Sequence, residues 1–156
     1  AGADPDAEVG EFHRPETHLI PIVLDAVSGE RDGVTIYGTD YPTDDGTCIR
    51  DYVHVSDLVD AHVLGLGWLL DGKGNRVFNL GTGSGFSVKE VIDSARRVTN
   101  RDVPTSIGDR REGDAVKLVS GSHRAEDELN WEPQKSSMPQ MIEDAWRWHQ
   151  VADYRE

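Results

Sequence analysis

Beyond residue 17 the chain reads as short apolar strands alternating with amphipathic helices. In HLIPIVLDAVSGE, Leu19, Val23, Ala26 and Val27 recur at helical spacing, Pro21 falls in the first turn, and Gly29 supplies a stop. Val34, Thr35, Ile36 and Tyr37 alternate and are β-branched or aromatic, which predicts a strand. A turn-rich loop over residues 38–46 leads into an extended stretch, residues 48–55. Ser56 or Asp57 then caps a helix whose apolar positions are Leu58, Val59, Val63, Leu66, Leu69 and Leu70, ending near Gly72.

The second half repeats the alternation. Residues 77–80 predict a short strand running into GTGSG, and Ser87 with Glu90 forms a capping box that opens a helix to about Thr99. Residues 103–107 and 116–119 read as strands. Ser122 caps a short helix ending at Leu129, Trp131 packs beneath it, and residues 138–150 form a last helix. Residues 1–16, with Pro5 and Pro15, read as loop. The class is therefore α/β. Strands are few and short for so many helices, so the sheet looks incomplete, as if its remaining strands belonged to other sequence.

Composition narrows the chemistry. The 156 residues carry a formal net charge of -13. That field opposes nucleic acid and anionic membranes, so neither is expected as a partner. With 37% hydrophobic residues and 29% charged, the chain is expected to fold as a globule, and no window has the ~18 apolar residues of a membrane helix. The acidic start predicts no signal peptide. The single Cys48 rules out an internal disulfide, reads as a small buried hydrophobe, and suits a cytoplasmic location.

Few motifs carry chemistry on their own. Gly81-x-Gly83-x-Gly85 departs from the dinucleotide fingerprint and reads as a tight turn into a helix. The histidines show neither HExxH nor ligand spacing with carboxylates, so no metal site is expected. No GxSxG elbow appears. Arg50 and the Arg110-Arg111 pair stand out in so acidic a chain. Two separated arginines are suited to clamp a diphosphate, Asp114 to accept from a ribose diol, and Tyr37 to face a base. Ion pairing with Asp51 or a loop carboxylate, a solvated turn and a core tyrosine are the structural alternatives for the same residues.

The stretch IYGTDYPTDDGTCIRDYVHVSDLVDAH resembles the signature of the UDP-glucose (UDP-galactose) 4-epimerase family, members of the extended short-chain dehydrogenase/reductases. AGADPD, PETHLIP, FNLGTG, RREGD and LNWEP extend the resemblance across nearly the whole chain, in the family's order. It covers only the C-terminal half of such an enzyme. Residues 1–156 are thus expected to be one UDP-sugar-binding domain, with elements that would complete the Rossmann sheet of an N-terminal NAD-binding half not present here. The resemblance implies that NAD and a catalytic Tyr-x-x-x-Lys belong to that other half; no Tyr-x-x-x-Lys occurs in this sequence.

By the same resemblance, Arg50 and Arg111 hold the UDP diphosphate and Asp114 the uridine ribose. Thr35 and Tyr37 lie against the uracil, and Tyr52 sits beside the pocket. His18 and Leu19 begin a helix whose N-terminal end faces the phosphates. No residue of this chain is expected to be catalytic or to bind NAD. The implied activity is interconversion of UDP-glucose and UDP-galactose through NAD-mediated oxidation and re-reduction at the sugar C4, in a parent enzyme expected to be a homodimer. Alternatives are a free-standing UDP-sugar-binding module and another nucleotide-sugar epimerase or dehydratase of the family.

Overall fold

The structure, a computed structural model, describes residues 1–152. The helical pattern after Thr17 becomes α1, Leu19–Ser28, with His18 at its N-cap. Gly29 closes it in the left-handed conformation with its N–H on the Ala26 carbonyl. Ile20, Val23, Leu24, Ala26 and Val27 are buried. β1, Val34–Tyr37, follows, with Val34 and Ile36 inward and Thr35 and Tyr37 outward, as period two demands.

β2 is short, Ile49–Arg50. It leads to α2, Val55–Leu70, whose N-cap is His54 rather than Ser56 or Asp57. The imidazole Nδ1 of His54 accepts the Ser56 N–H at 3.0 Å, while the Asp57 carboxylate reaches across to residues 134–136. β3, Phe86–Ser87, enters α3, Val88–Thr99, through the expected capping box of Ser87 and Glu90. β4, Thr105–Gly108, overlaps the strand predicted over 103–107 and runs one residue past it, and β5, Lys117–Leu118, lies within the predicted 116–119. α4, His123–Leu129, starts at Ser122, whose hydroxyl donates to Glu126 instead of capping a backbone amide. α5, Met138–Val151, is capped by Ser137.

Two small sheets result. β1 pairs in parallel with β4, Val34 opposite Thr105 and Tyr37 opposite Gly108. β2 lies between antiparallel β3 and parallel β5. The main core joins α1, β1, α3 and α5 through Val23, Leu24, Val34, Ile36, Val91, Ile92, Val103, Met141 and Ile142. A second cluster gathers Ala61, Ala125, Leu129 and the buried Trp131, with Phe78 and Leu80 against it.

The strand expected at residues 77–80 is also corrected. Residues 77–80 pair with no described strand; Phe78 and Leu80 pack on the Trp131 cluster instead. The apolar face expected for α2 lies open, with Val59 at 54%, Val63 at 63%, Leu66 at 57% and Leu70 at 79% exposure, and only Asp57 and Ala61 buried. An apolar face of this size marks an interaction surface. Among the described residues, no helix is long and apolar enough to cross a membrane.

Candidate functional site

The loop over residues 38–47 sets one edge of the site. The Asp45 carboxylate accepts from the Thr47 amide at 2.8 Å, the Thr47 hydroxyl at 2.7 Å and the Ser87 hydroxyl. Thr43 Oγ1 donates to the Thr47 carbonyl, and the Tyr41 amide to that of Gly46. Gly46 is held at φ 81°, and a Cβ there would lie 2.2 Å from the Thr39 carbonyl oxygen, so only glycine closes this turn. The loop's hydrogen bonds fix where the chain enters β2, and hence where Arg50 begins.

A cleft of about 300 Å³ opens between the two sheets and the start of α1. Leu19, Thr35, Tyr37, Arg50, Tyr52, Arg111 and Asp114 line it together. Strand period two aims Thr35 and Tyr37 out of β1, and the segment joining β4 to β5 brings Arg111 and Asp114 opposite them. Thr35 Oγ1 lies 3.1 Å from the hydroxyl of Ser106 on β4.

Arg50 is held on three oxygens. Its Nη1 donates to the carbonyls of Ile49 and Ala115, each at 2.8 Å, and Nη2 to Asp114 Oδ1 at 3.2 Å. Its partner is thus Asp114, not Asp51. Asp51 instead accepts from the Thr82 amide and hydroxyl and from the Ser120 amide, fixing the GTGSG turn. The consecutive arginines also separate. Arg110 pairs with Asp40 at 2.7 Å and lies over the buried Tyr41 ring, a structural position. Arg111 enters the cleft with its guanidinium 4.0 Å from the Tyr37 ring centre.

His18 stands apart from the other predicted site residues. Its flanking residues Thr17 and Leu19 line the cleft, but its imidazole turns outward to Glu11 and Glu16, each 2.9 Å from Nδ1. Burial pushes the Glu16 carboxyl up, but the His18 and Thr17 amides outweigh it and hold Glu16 below the usual carboxylate range. The protein's own carboxylate therefore occupies the amides just ahead of α1.

Sequence reasoning missed Arg31, which also lines the cleft. It follows the α1 stop by two residues and precedes β1 by three, and basic residues are scarce in this chain; that placement was the available signal. Cys48 is buried as expected and also touches the cleft. Arg31, Arg50 and Arg111 together make the cleft locally cationic within a chain of net charge -13.

Burial pushes the Tyr52 phenol up to about 12, with Cys48 adding to the rise and Arg50 opposing it. Tyr52 thus stays a neutral hydrogen-bond donor. The unfolded chain sheds this proton near 10, so the contribution to stability is complete below that pH and is lost as pH rises toward 12. Ultraviolet titration should show a late-ionising phenol that is lost in Tyr52→Phe; a high-pH titration unchanged by that substitution would contradict this.

The model of the NAD dependent epimerase/dehydratase family matches residues 7–81. UDP-glucose 4-epimerase of Lacticaseibacillus casei is 49% identical over 150 residues, covering 96% of this chain and 45% of the relative. That of Halalkalibacterium halodurans is 51% identical over 149 residues, with the same coverage. A crystal structure of a UDP-glucose 4-epimerase superposes with a TM-score of 0.94 at 51% identity, over 96% of this chain and 46% of the other. The Bifidobacterium longum UDP-glucose 4-epimerase, solved with NAD+ and UDP, superposes with a TM-score of 0.87 at 34% identity, over 96% and 44%. The chain thus spans about half the length of the relatives it matches. Its sequence and its two-sheet α/β fold agree on one conclusion: the chain belongs to the NAD dependent epimerase/dehydratase family, as the C-terminal half of an extended short-chain dehydrogenase/reductase of the UDP-glucose 4-epimerase type.

Proposed function

We propose that the cleft is the nucleotide diphosphate portion of a UDP-hexose site, and that the chain forms the substrate-binding part of a UDP-glucose 4-epimerase. The observation that carries this reading is the convergence of Arg31, Arg50 and Arg111 on one cleft beside the Tyr37 ring and the Asp114 carboxylate. Fork-shaped guanidinium groups match diphosphate oxygens, a carboxylate matches a ribose diol, and an aromatic face matches a base. Similarity to UDP-glucose 4-epimerases over 96% of the chain supports the same assignment.

Arg50 is preorganised for this task. Two backbone carbonyls and Asp114 fix its guanidinium before a ligand arrives, which lowers the ordering cost of binding. A diphosphate would take over the Arg50 contact now made by Asp114, freeing Asp114 for sugar hydroxyls. Neutral Tyr52 donates without adding charge.

NAD, which gives the family its name, does not fit the glycine-rich turn of this chain. The Thr82 amide is taken by Asp51, and a Cβ at Gly81 would strike Ser120 and Asp51 at 2.6 and 2.7 Å. These glycines serve close packing, so hydride chemistry is assigned to the remaining half of such an enzyme. The open apolar face of α2 and the unpaired segment 77–80 are the surfaces assigned to that half.

Calorimetric titration tests the binding half of the proposal: UDP is expected to bind this chain saturably. Complementation tests the rest. Joined to the nucleotide-binding half of a relative, the chain should interconvert UDP-glucose and UDP-galactose with bound NAD. A joined enzyme that folds, binds NAD and leaves both UDP-hexoses unchanged would overturn the epimerase assignment.

A further inference from the structure

Outside the cleft, the fold assembles a cluster that sequence spacing did not reveal. Glu11, His13 and His18 each bring one donor atom within 4.8 Å of the others. Glu11 Oε1 lies 2.9 Å from His18 Nδ1 and 3.3 Å from His13 Nε2. Two donors bound at roughly 2.05 Å in a tetrahedral shell sit about 3.3 Å apart, so the two Glu11 separations already match that spacing to within a few tenths of an ångström. We propose that Glu11, His13 and His18 bind a divalent transition cation of the zinc class, with a fourth position left to water or to Glu16.

The donors are already positioned. The Glu11 carbonyl accepts the Trp148 indole N–H at 3.1 Å, anchoring its backbone to α5. His18 is fixed as the N-cap residue of α1, and its backbone amide donates to Glu16 Oε1 at 2.7 Å. The two imidazole rings meet edge to face at 4.9 Å, which aims both nitrogens at the same carboxylate. Half-exposed side chains leave the site open to solvent ions.

Donor chemistry sets the metal class. Two imidazoles with one carboxylate suit zinc and its neighbours, whereas magnesium and calcium prefer all-oxygen sites. The other three-residue grouping, Asp25, Glu30 and His149, offers one imidazole. That ring is 8% exposed, stacks on Trp146, and already meets Asp25 at 3.0 Å, so it carries no such proposal.

Metal binding would replace the proton that His18 Nδ1 shares with the neighbouring carboxylates. It would also tie residues 11–13 to the N-cap of α1, whose neighbours Thr17 and Leu19 line the cleft. The site is independent of what the cleft binds.

The test is calorimetric titration of ZnCl2 into the chain, with proton release followed in buffers of different ionisation enthalpy, and Co2+ spectroscopy in parallel. One-to-one binding is expected, with the visible bands of tetrahedral Co2+. His13→Ala and His18→Asn, the second keeping a good N-cap, should each weaken Zn2+ at least about tenfold without lowering the melting temperature of the metal-free protein. Affinity unchanged in the double variant, or moved only by Asp25→Asn, would overturn the assignment, as would the absence of saturable binding.

Discussion

Arg50→Ala is expected to weaken UDP binding by about 2–5 kcal/mol, roughly 30-fold to several thousand-fold in affinity. The magnitude follows from the setting. Arg50 is three-quarters buried, and its guanidinium is spread over Ile49, Ala115 and Asp114, so its charge is directed into the cleft rather than screened by water. Alanine removes that charge and leaves Asp114 facing the diphosphate without its cation. Arg50→Lys separates the two contributions: it restores charge but not the fork, so an intermediate loss is expected. Calorimetry with UDP measures all three proteins, and thermal melts confirm that each folds. A folded Arg50→Ala protein binding UDP with unchanged affinity would remove the central arginine from the proposed site.

Asp57→Ala is expected to be the most destabilising single change in α2, by about 3–5 kcal/mol. Asp57 is 2% exposed, and its carboxylate accepts from the amides of Gln134 and Lys135, each at 3.0 Å, and from the Ser136 hydroxyl. Its backbone carbonyl accepts the Trp131 indole N–H at 2.8 Å. Segment 131–136 thus hangs on one residue of the first turn of α2. Ser136 in turn accepts the His54 amide at 2.8 Å, so the damage reaches the N-cap. Alanine strands two amides and a hydroxyl, while Asp57→Asn keeps part of the acceptor set and should lose less. Urea unfolding should show a lower midpoint with an unchanged slope. A midpoint equal to that of the parent would mean the segment is held by Trp131 packing alone.

Helices α1, α3 and α5 were legible because each carries its own signals: apolar spacing, Gly29 as a stop, the Ser87 and Glu90 box. The N-cap of α2 was not, since Ser56 and Asp57 are both good caps by type. Only the fold shows Asp57 drawn away to residues 134–136, leaving His54 to accept the Ser56 amide. The strand expected at residues 77–80 failed for a related reason: β propensity needs a neighbouring ladder, and no described strand supplies one.

The site divides the same way. The sequence by itself determined the α/β class, the rarity of positive charge, the resemblance carried by DYPTDDGT and RREGD, and that Thr35 and Tyr37 share one face of their strand, because these depend on local periodicity and residue identity. Tertiary structure alone decided that Arg50 meets Asp114 rather than Asp51, that Arg111 enters the cleft while Arg110 covers Tyr41, that Arg31 joins them, and that His18 turns away toward Glu11 and His13. Those pairings span up to 74 positions of chain, Tyr37 to Arg111, and are set by parallel strand crossovers and loop closure, which no local pattern encodes.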